Sequence, residues 1–229
     1  MEAKMQALAE VIDHLVRHEV FRIGPVVITT TVVNTWMIMA VLFAVVFLLT
    51  RNLSDKPKGV QALLEVIVEL FYGLIDTGMG KEGRKYLPIV GSLFIFIAFL
   101  NLSWFIPDMV PPTTDLMTTA ALGITALLLV HAMGIRERGL VGYLRHYAEP
   151  TPIMLPMNLL EEVVRPFSLA IRLFGNMFGE KMVVTILFIL APLLAPTPVM
   201  ALGLLMGLIQ AYIFTLLTVT YLAGATQGH

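Results

Sequence analysis

The chain has 229 residues, 58% of them hydrophobic and only 14% charged, against roughly 25% charged in an ordinary soluble domain. A net charge of -1 and the lack of any cysteine point to no polyanionic partner and exclude disulfides, thiolate metal sites and cysteine nucleophiles. With a mean hydropathy of +0.85, the composition predicts an all-α, multi-pass membrane protein whose residues 1–229 form one membrane domain.

Residues 1–24 carry Glu2, Glu10, Asp13 and Glu19 without a sustained apolar core or a small-residue cleavage site. They are expected to be retained, and residues 1–29 to form a partly amphipathic N-terminal segment on the outer side. About 20 apolar residues cover the hydrocarbon core, and five stretches qualify: 30–50, ending at Arg51; 87–106, stopped by Pro107-Asp108; 116–134, ending before Arg136-Glu137-Arg138; 156–191; and 198–223. The fourth is too long to stand upright and is expected to tilt. Pro192, Pro196 and Pro198 break the chain between the last two spans, which become a long tilted hairpin. Between the first and second spans, Gln61, Glu65, Glu69 and Asp76 recur at helical spacing among apolar residues. This predicts an amphipathic helix within 58–80 after a Pro57/Gly59 break, or alternatively a re-entrant one. Thr113, Thr114 or Asp115 is placed to cap the third span.

Lysine and arginine placement orients the set. The connections 107–115 and 191–198 have none, whereas the other side holds Arg51, Lys56, Lys58, Lys81, Arg84, Lys85, Arg136, Arg138 and Arg145. The N-terminus is therefore expected outside and the C-terminus in the cytoplasm, with Lys4, Arg17 and Arg22 as a mild contrary signal. No internal repeat is visible, which disfavours a transporter built from inverted repeats.

On the fourth span Glu161, Arg165, Ser168, Arg172, Asn176 and Gly179 lie three or four residues apart, so they stack on one helical face. Glu162 and Glu180 fall at the edge of this stripe, and Lys181 on the opposite side. Gly175 and Gly179 give the small-residue spacing at which another helix approaches closely. A guanidinium that cannot shed its proton is expensive at bilayer depth and marks function. Arg172 is thus the main candidate, unless a carboxylate of the same chain holds it in a static pair. Arg165, nearer the helix end, is equally readable as a snorkelling side chain, and Glu161 and Glu162 as interfacial acids. On the fifth span, Gln210 follows Gly203 and Gly207 on one face, where an antiparallel hairpin brings it toward Arg172 and Asn176. Thr215, Thr218 and Thr220 are expected to bond their own backbone, and His131 to be a satisfied interfacial histidine. The sequence has no GxSxG elbow, HExxH pair or phosphate loop, implies no metal or cofactor, and offers no basic face for nucleic acid.

These residues carry a resemblance. Arg172-Leu173-Phe174-Gly175-Asn176-Met177, preceded by Arg165-Pro166-Phe167-Ser168-Leu169, resembles the signature of subunit a of the F-type ATP synthase membrane sector. Gln210-Ala211-Tyr212-Ile213-Phe214-Thr215, with Tyr221-Leu222, is similar to its last helix. Pro57-Lys58-Gly59-Val60-Gln61, Leu64-Glu65, Asn101-Leu102 and Thr114-Asp115-Leu116 are similar to weaker landmarks in the same order. The resemblance spans about residues 30–223.

It implies a non-enzymatic stator subunit in a bacterial inner membrane, beside a ring of c subunits and held by peripheral-stalk b subunits. Two offset half-channels, most simply for protons, would feed the ring's carboxylates, with Arg172 between them. Asn176, Gln210 and Ser168 would line or orient that path, Glu161 and Glu162 would serve the cytoplasmic half, and Glu180 and Lys181 the outer half. The Glu180-Lys181 acid stands one residue early for the family, and Gly203 replaces a histidine found in some members, so Lys181 is expected to take the basic role. The alternative functions are a stand-alone ion or small-solute transporter with Arg172 in its binding site, and a purely structural subunit.

Overall fold

The computed structural model describes residues 19–23, 26–51, 53–54, 58–106, 109–146, 153, 155–191 and 196–226. Residues 1–18 and the expected breaks at Pro57, Pro107-Asp108 and Pro192 lie outside the described residues. The described chain opens with an antiparallel hairpin, β1 (Glu19–Ile23) against β2 (Val26–Thr29), in which Arg22 pairs with Val27 and Phe21 with Ile28. The run Val26-Val27-Ile28-Thr29 is β-branched throughout and favours strand. Strand, and not a helical turn, therefore leads into the first span.

Six α-helices follow: α1 (Thr30–Thr50), α2 (Val60–Met79), α3 (Leu87–Leu102), α4 (Leu116–His146), α5 (Leu155–Leu190) and α6 (Pro196–Thr226). All but α2 are parts of segments long and apolar enough to span a bilayer, so the protein is an all-α, multi-pass membrane protein. At 1.5 Å per residue the 36 residues of α5 extend about 54 Å, and the hydrocarbon core is about 30 Å thick. Helices of this length fit only obliquely.

The core forms where α3, α4, α5 and α6 pack together. One cluster joins Ile97 and Leu100 of α3, Ala126 of α4, Leu173 and Met177 of α5, and Phe214 of α6. A second, toward the end of the bundle that bears Arg51, Arg84, Lys85 and Arg136 (the basic end), joins Leu74 and Ile75 of α2 to Val90, Val130, Val219 and Leu222. α2 is one continuous helix that docks through Phe71, Leu74, Ile75 and Met79 and leaves Leu63, Val66, Glu65 and Glu69 exposed. α1 is buried only near its start, at Thr31, Asn34 and Ile38, where Asn34 Nδ2 donates to the Val110 carbonyl at 3.1 Å.

Charges end a span without ending its helix. α4 continues through Arg136–Arg138, and the regular backbone breaks only at Gly139, which has φ 71°, a left-handed value that glycine adopts without penalty. Beyond the hydrocarbon those charges find partners: Glu137 accepts from Lys85 Nζ at 2.6 Å and from Tyr86 Oη at 3.0 Å. The break turns the last residues back, so that the Tyr143 ring covers Gly134. At its start α4 is capped by Asp115, whose Oδ1 accepts from the Met117 amide at 2.9 Å.

Two helix crossings depend on missing side chains. A Cβ at Gly207 would lie 3.2 Å from that of Asn101, whose Nδ2 donates to the Gly207 carbonyl at 2.9 Å. A Cβ at Gly123 would lie 2.6 Å from the Pro166 carbonyl oxygen, a backbone atom that cannot swing aside. Gly123→Ala is therefore expected to destabilise the protein by about 1–3 kcal/mol through overpacking. Thermal unfolding in detergent measures this, and an unchanged midpoint would refute the tight crossing.

At the basic end Arg84 Nε donates to Asp76 Oδ1 at 2.9 Å, and its Nη2 binds the other oxygen. That hydrogen bond holds the Asp76 carboxyl below its ordinary value. A lowered carboxylate stabilises the fold at pH above the unfolded value of about 3.9, and the contribution fades as pH falls below it. The difference in melting temperature between the parent and Asp76→Asn should accordingly shrink below about pH 4, as thermal scans across pH will test.

Candidate functional site

α5 has chemistry on both faces. Leu169, Leu173, Met177, Lys181 and Val184 are buried and stand three or four residues apart, so they form one stripe facing α4 and α6. The other side carries the polar stripe, and it points away from the chain. Arg172, at the midpoint of α5, is exposed, as are Glu161, Gly175 and Asn176, while Arg165, Ser168 and Gly179 are partly covered. Among the described residues no hydrogen bond or ion pair joins Arg172 to a neighbour. A static pair between Arg172 and a carboxylate of this chain is thus not what the fold builds.

A Cβ at Gly175 or Gly179 would meet nothing within 4 Å, so among the described residues no helix uses their small-residue spacing. They leave the surface beside Arg172 flat. The tight approaches fall on α6, where Gly203 receives the Glu180 carboxylate directly against its backbone and Gly207 receives Asn101.

Those approaches bring α6 close enough for a contact between side-chain amides. Asn176 Nδ2 donates to Gln210 Oε1 at 2.7 Å, and Gln210 is 1% exposed. The antiparallel hairpin thus places Gln210 behind Asn176, one turn from Arg172. Toward the other end of α5 the polar atoms thin out. Glu180 Oε1 and Lys181 Nζ are buried without a hydrogen-bond partner among the described residues.

The basic end is dense by contrast. Glu162, assigned from sequence to the edge of the stripe, is buried against α4, and its Oε1 accepts from Arg165 Nη1 at 2.8 Å. Arg165 Nη2 also donates to the exposed Glu161 at 3.4 Å, and the guanidinium lies 4.9 Å from the centre of the Tyr221 ring. A planar guanidinium suits both roles, so Arg165 does not snorkel freely. Thr215, Thr218 and Thr220 donate to carbonyls one turn back, as expected. Sequence reasoning passed over Asn34 entirely and gave Asn101 no site role, although a lone amide inside an apolar run is the signal that a buried acceptor awaits it.

Against this geometry stand the known proteins. A family described as "ATP synthase A chain" matches residues 32–223. The chain belongs to the ATP synthase subunit a family. It is 59% identical over 211 residues to "ATP synthase subunit a" of Moorella thermoacetica, covering 92% of this chain and 97% of that one. Relatives called "ATP synthase subunit a 2" in Bradyrhizobium sp. and "ATP synthase subunit a 1" in Chlorobaculum parvum are 47% and 45% identical, over 90% and 93% of this chain and 92% and 96% of theirs. Within the family frame, the outward charge on α5 and the amide pair behind it are the candidate site.

Gln210→Leu would remove the acceptor of the Asn176 amide, and a hydrogen bond of this kind contributes about 0.5–1.5 kcal/mol net. The melting temperature of Gln210→Leu is therefore expected to lie below the parent's, and an unchanged value would show that the amide contact carries no net stability.

Proposed function

We propose that this chain is the ion-conducting stator subunit of a rotary F-type ATP synthase in a bacterial inner membrane. Its N-terminus lies outside and its C-terminus in the cytoplasm, and it works with a ring of c subunits, peripheral-stalk b subunits and the remainder of the complex. Residues 1–229 act as one membrane domain. The observation that carries the reading is the outward exposure of Arg172, unpaired among the described residues, at the midpoint of an apolar helix. A charge so placed needs a partner from another subunit, since lipid meets it only at a cost of several kcal/mol. A stand-alone transporter would turn it toward a cavity of its own.

The chemistry follows from charge and desolvation. A ring carboxylate facing lipid is held neutral, because burial penalises its ionised form. Opposite Arg172 the ionised form is stabilised, and the proton leaves. Because the guanidinium never titrates, it also blocks direct passage from one half-channel to the other. Each charge carries about 2.3 kcal/mol per 100 mV of driving potential, and a leak here would lose that work.

Ser168, Asn176 and Gln210 orient or line the route beside Arg172. Glu161 and Glu162 serve the half-channel at the basic end, taken as cytoplasmic. Glu180 and Lys181 serve the opposite half, with Lys181 as its basic group. We take the transported ion to be the proton.

The test uses the whole complex in inverted membrane vesicles. Arg172→Ala should abolish ATP-driven acidification while the ring and stalk still co-purify with the subunit. Full coupled transport by that variant, or a subunit that purifies without any ring, would overturn the proposal.

A further inference from the structure

His131 on α4 faces the basic-end half of α5, and its surroundings do not fit a passive interfacial histidine. Nδ1 lies 2.9 Å from the Leu127 carbonyl oxygen. A carbonyl only accepts, so Nδ1 carries the hydrogen and Nε2 is left as the basic nitrogen. Nε2 points at Glu162 Oε2, 3.8 Å away. That gap slightly exceeds a hydrogen bond, so a small side-chain rotation or one water closes it. Two acceptors facing one another are favourable only with a proton between them.

The groups around the pair are set for this. From α5, Arg165 holds the other Glu162 oxygen at 2.8 Å and also reaches Glu161. From α6, Tyr221 stacks on Arg165. From the turned-back end of α4, the Tyr143 ring meets His131 edge-on, with centroids 5.8 Å apart. Side-chain exposure falls from 32% at His131 to 11% at Glu162, a step from the surface of the bundle into it.

We propose that His131 and Glu162 form a proton hand-over at the basic-end mouth of the chain, with His131 as its solvent-side base. This rests on the stator reading and adds a residue to it. In the outward step the Oε2–H bond of Glu162 breaks as the Nε2 lone pair takes the proton, once a side-chain rotation has closed the gap. The imidazolium keeps its Nδ1–H on Leu127 and then releases the Nε2 proton to bulk water. The reverse sequence loads the path. Arg165 is a positioning residue, fixing the carboxylate while leaving Oε2 toward the histidine.

The experiment measures passive proton conduction by the membrane sector, stripped of its catalytic head, in vesicles under an imposed potential between about pH 5 and pH 8, where histidine changes charge. His131→Gln keeps size and polarity but cannot titrate. Conduction should fall by about ten-fold or more, and its pH dependence should flatten. Glu162→Gln should give the same flattened profile, and the double variant should be no worse than either single one. A His131→Gln sector that assembles with its ring and keeps both the parental flux and the parental pH profile would overturn the hand-over. Should that variant fail to assemble, Glu162→Gln decides alone, its parental profile overturning the hand-over and its flattened one supporting it. Arg172→Ala in vesicles that keep the catalytic head separates the two levels: retained coupled pumping there defeats the stator reading itself, whereas its loss alongside a parental His131→Gln profile in the stripped vesicles defeats only the hand-over.

Discussion

A guanidinium in hydrocarbon must be met by something, and here nothing among the described residues of the chain meets it. Arg172 stands exposed at the middle of α5 while the opposite face of that helix is buried from Leu169 to Val184. A helix with one wholly buried stripe cannot roll to bring its arginine inside without exposing Leu173, Met177 and Lys181 together. Those side chains pack against α4 and α6, and packing holds transmembrane helices together where lipid is as apolar as the core, so the orientation of Arg172 is set by the residues behind it.

The close crossings serve that orientation. Gly123 admits the Pro166 backbone, Gly207 admits Asn101, and Gly203 admits the Glu180 carboxylate. Pro166 lacks an amide hydrogen, so the Glu162 carbonyl loses its usual donor one turn on. The same turn carries the Arg165 and Glu162 pair, and the relaxed backbone sits where α4 presses closest. Position, proline and glycine thus fix the angle at which α5 leaves the basic end, and with it the depth of Arg172. The amide bond from Asn176 to Gln210 is the last link, locking α6 behind the charge.

Much of this was legible in the residues themselves. Apolar run lengths placed the spans, and the spacing of Glu161, Arg165, Ser168, Arg172 and Asn176 identified their common face, because a helix repeats every 3.6 residues whatever surrounds it. Which way that face points was not legible, since periodicity gives relative directions only. Gly175 and Gly179 matched a pattern for close packing that this chain satisfies on α6 instead. Helix ends were misread wherever a charge stops a span but not the hydrogen-bond ladder, as at Arg136–Arg138 in α4. The β-hairpin was hidden because a short β-branched run next to a long apolar helix reads as more of the same. His131 looked bland for a simpler reason: its partner Glu162 is on another helix, and no spacing rule connects the two.

The two ends of α5 also differ in a way that bears on directional transport. At the basic end most charged groups touching the helix are paired, Glu162 Oε1 with Arg165 and Arg165 with Glu161 and Tyr221, while Glu162 Oε2 faces His131 at 3.8 Å, beyond hydrogen-bond distance. At the other end Glu180 and Lys181 hold buried atoms that no described residue satisfies. Buried polar atoms in native folds are almost always satisfied, by protein or by ordered water. α5 thus carries two unlike sets of polar groups, one on each side of Arg172, and the half-channels proposed above would differ in the same way. The charge between them sits where neither described set of groups reaches it, so on the stator reading proposed above a proton crossing from one set to the other would need a carrier from another subunit.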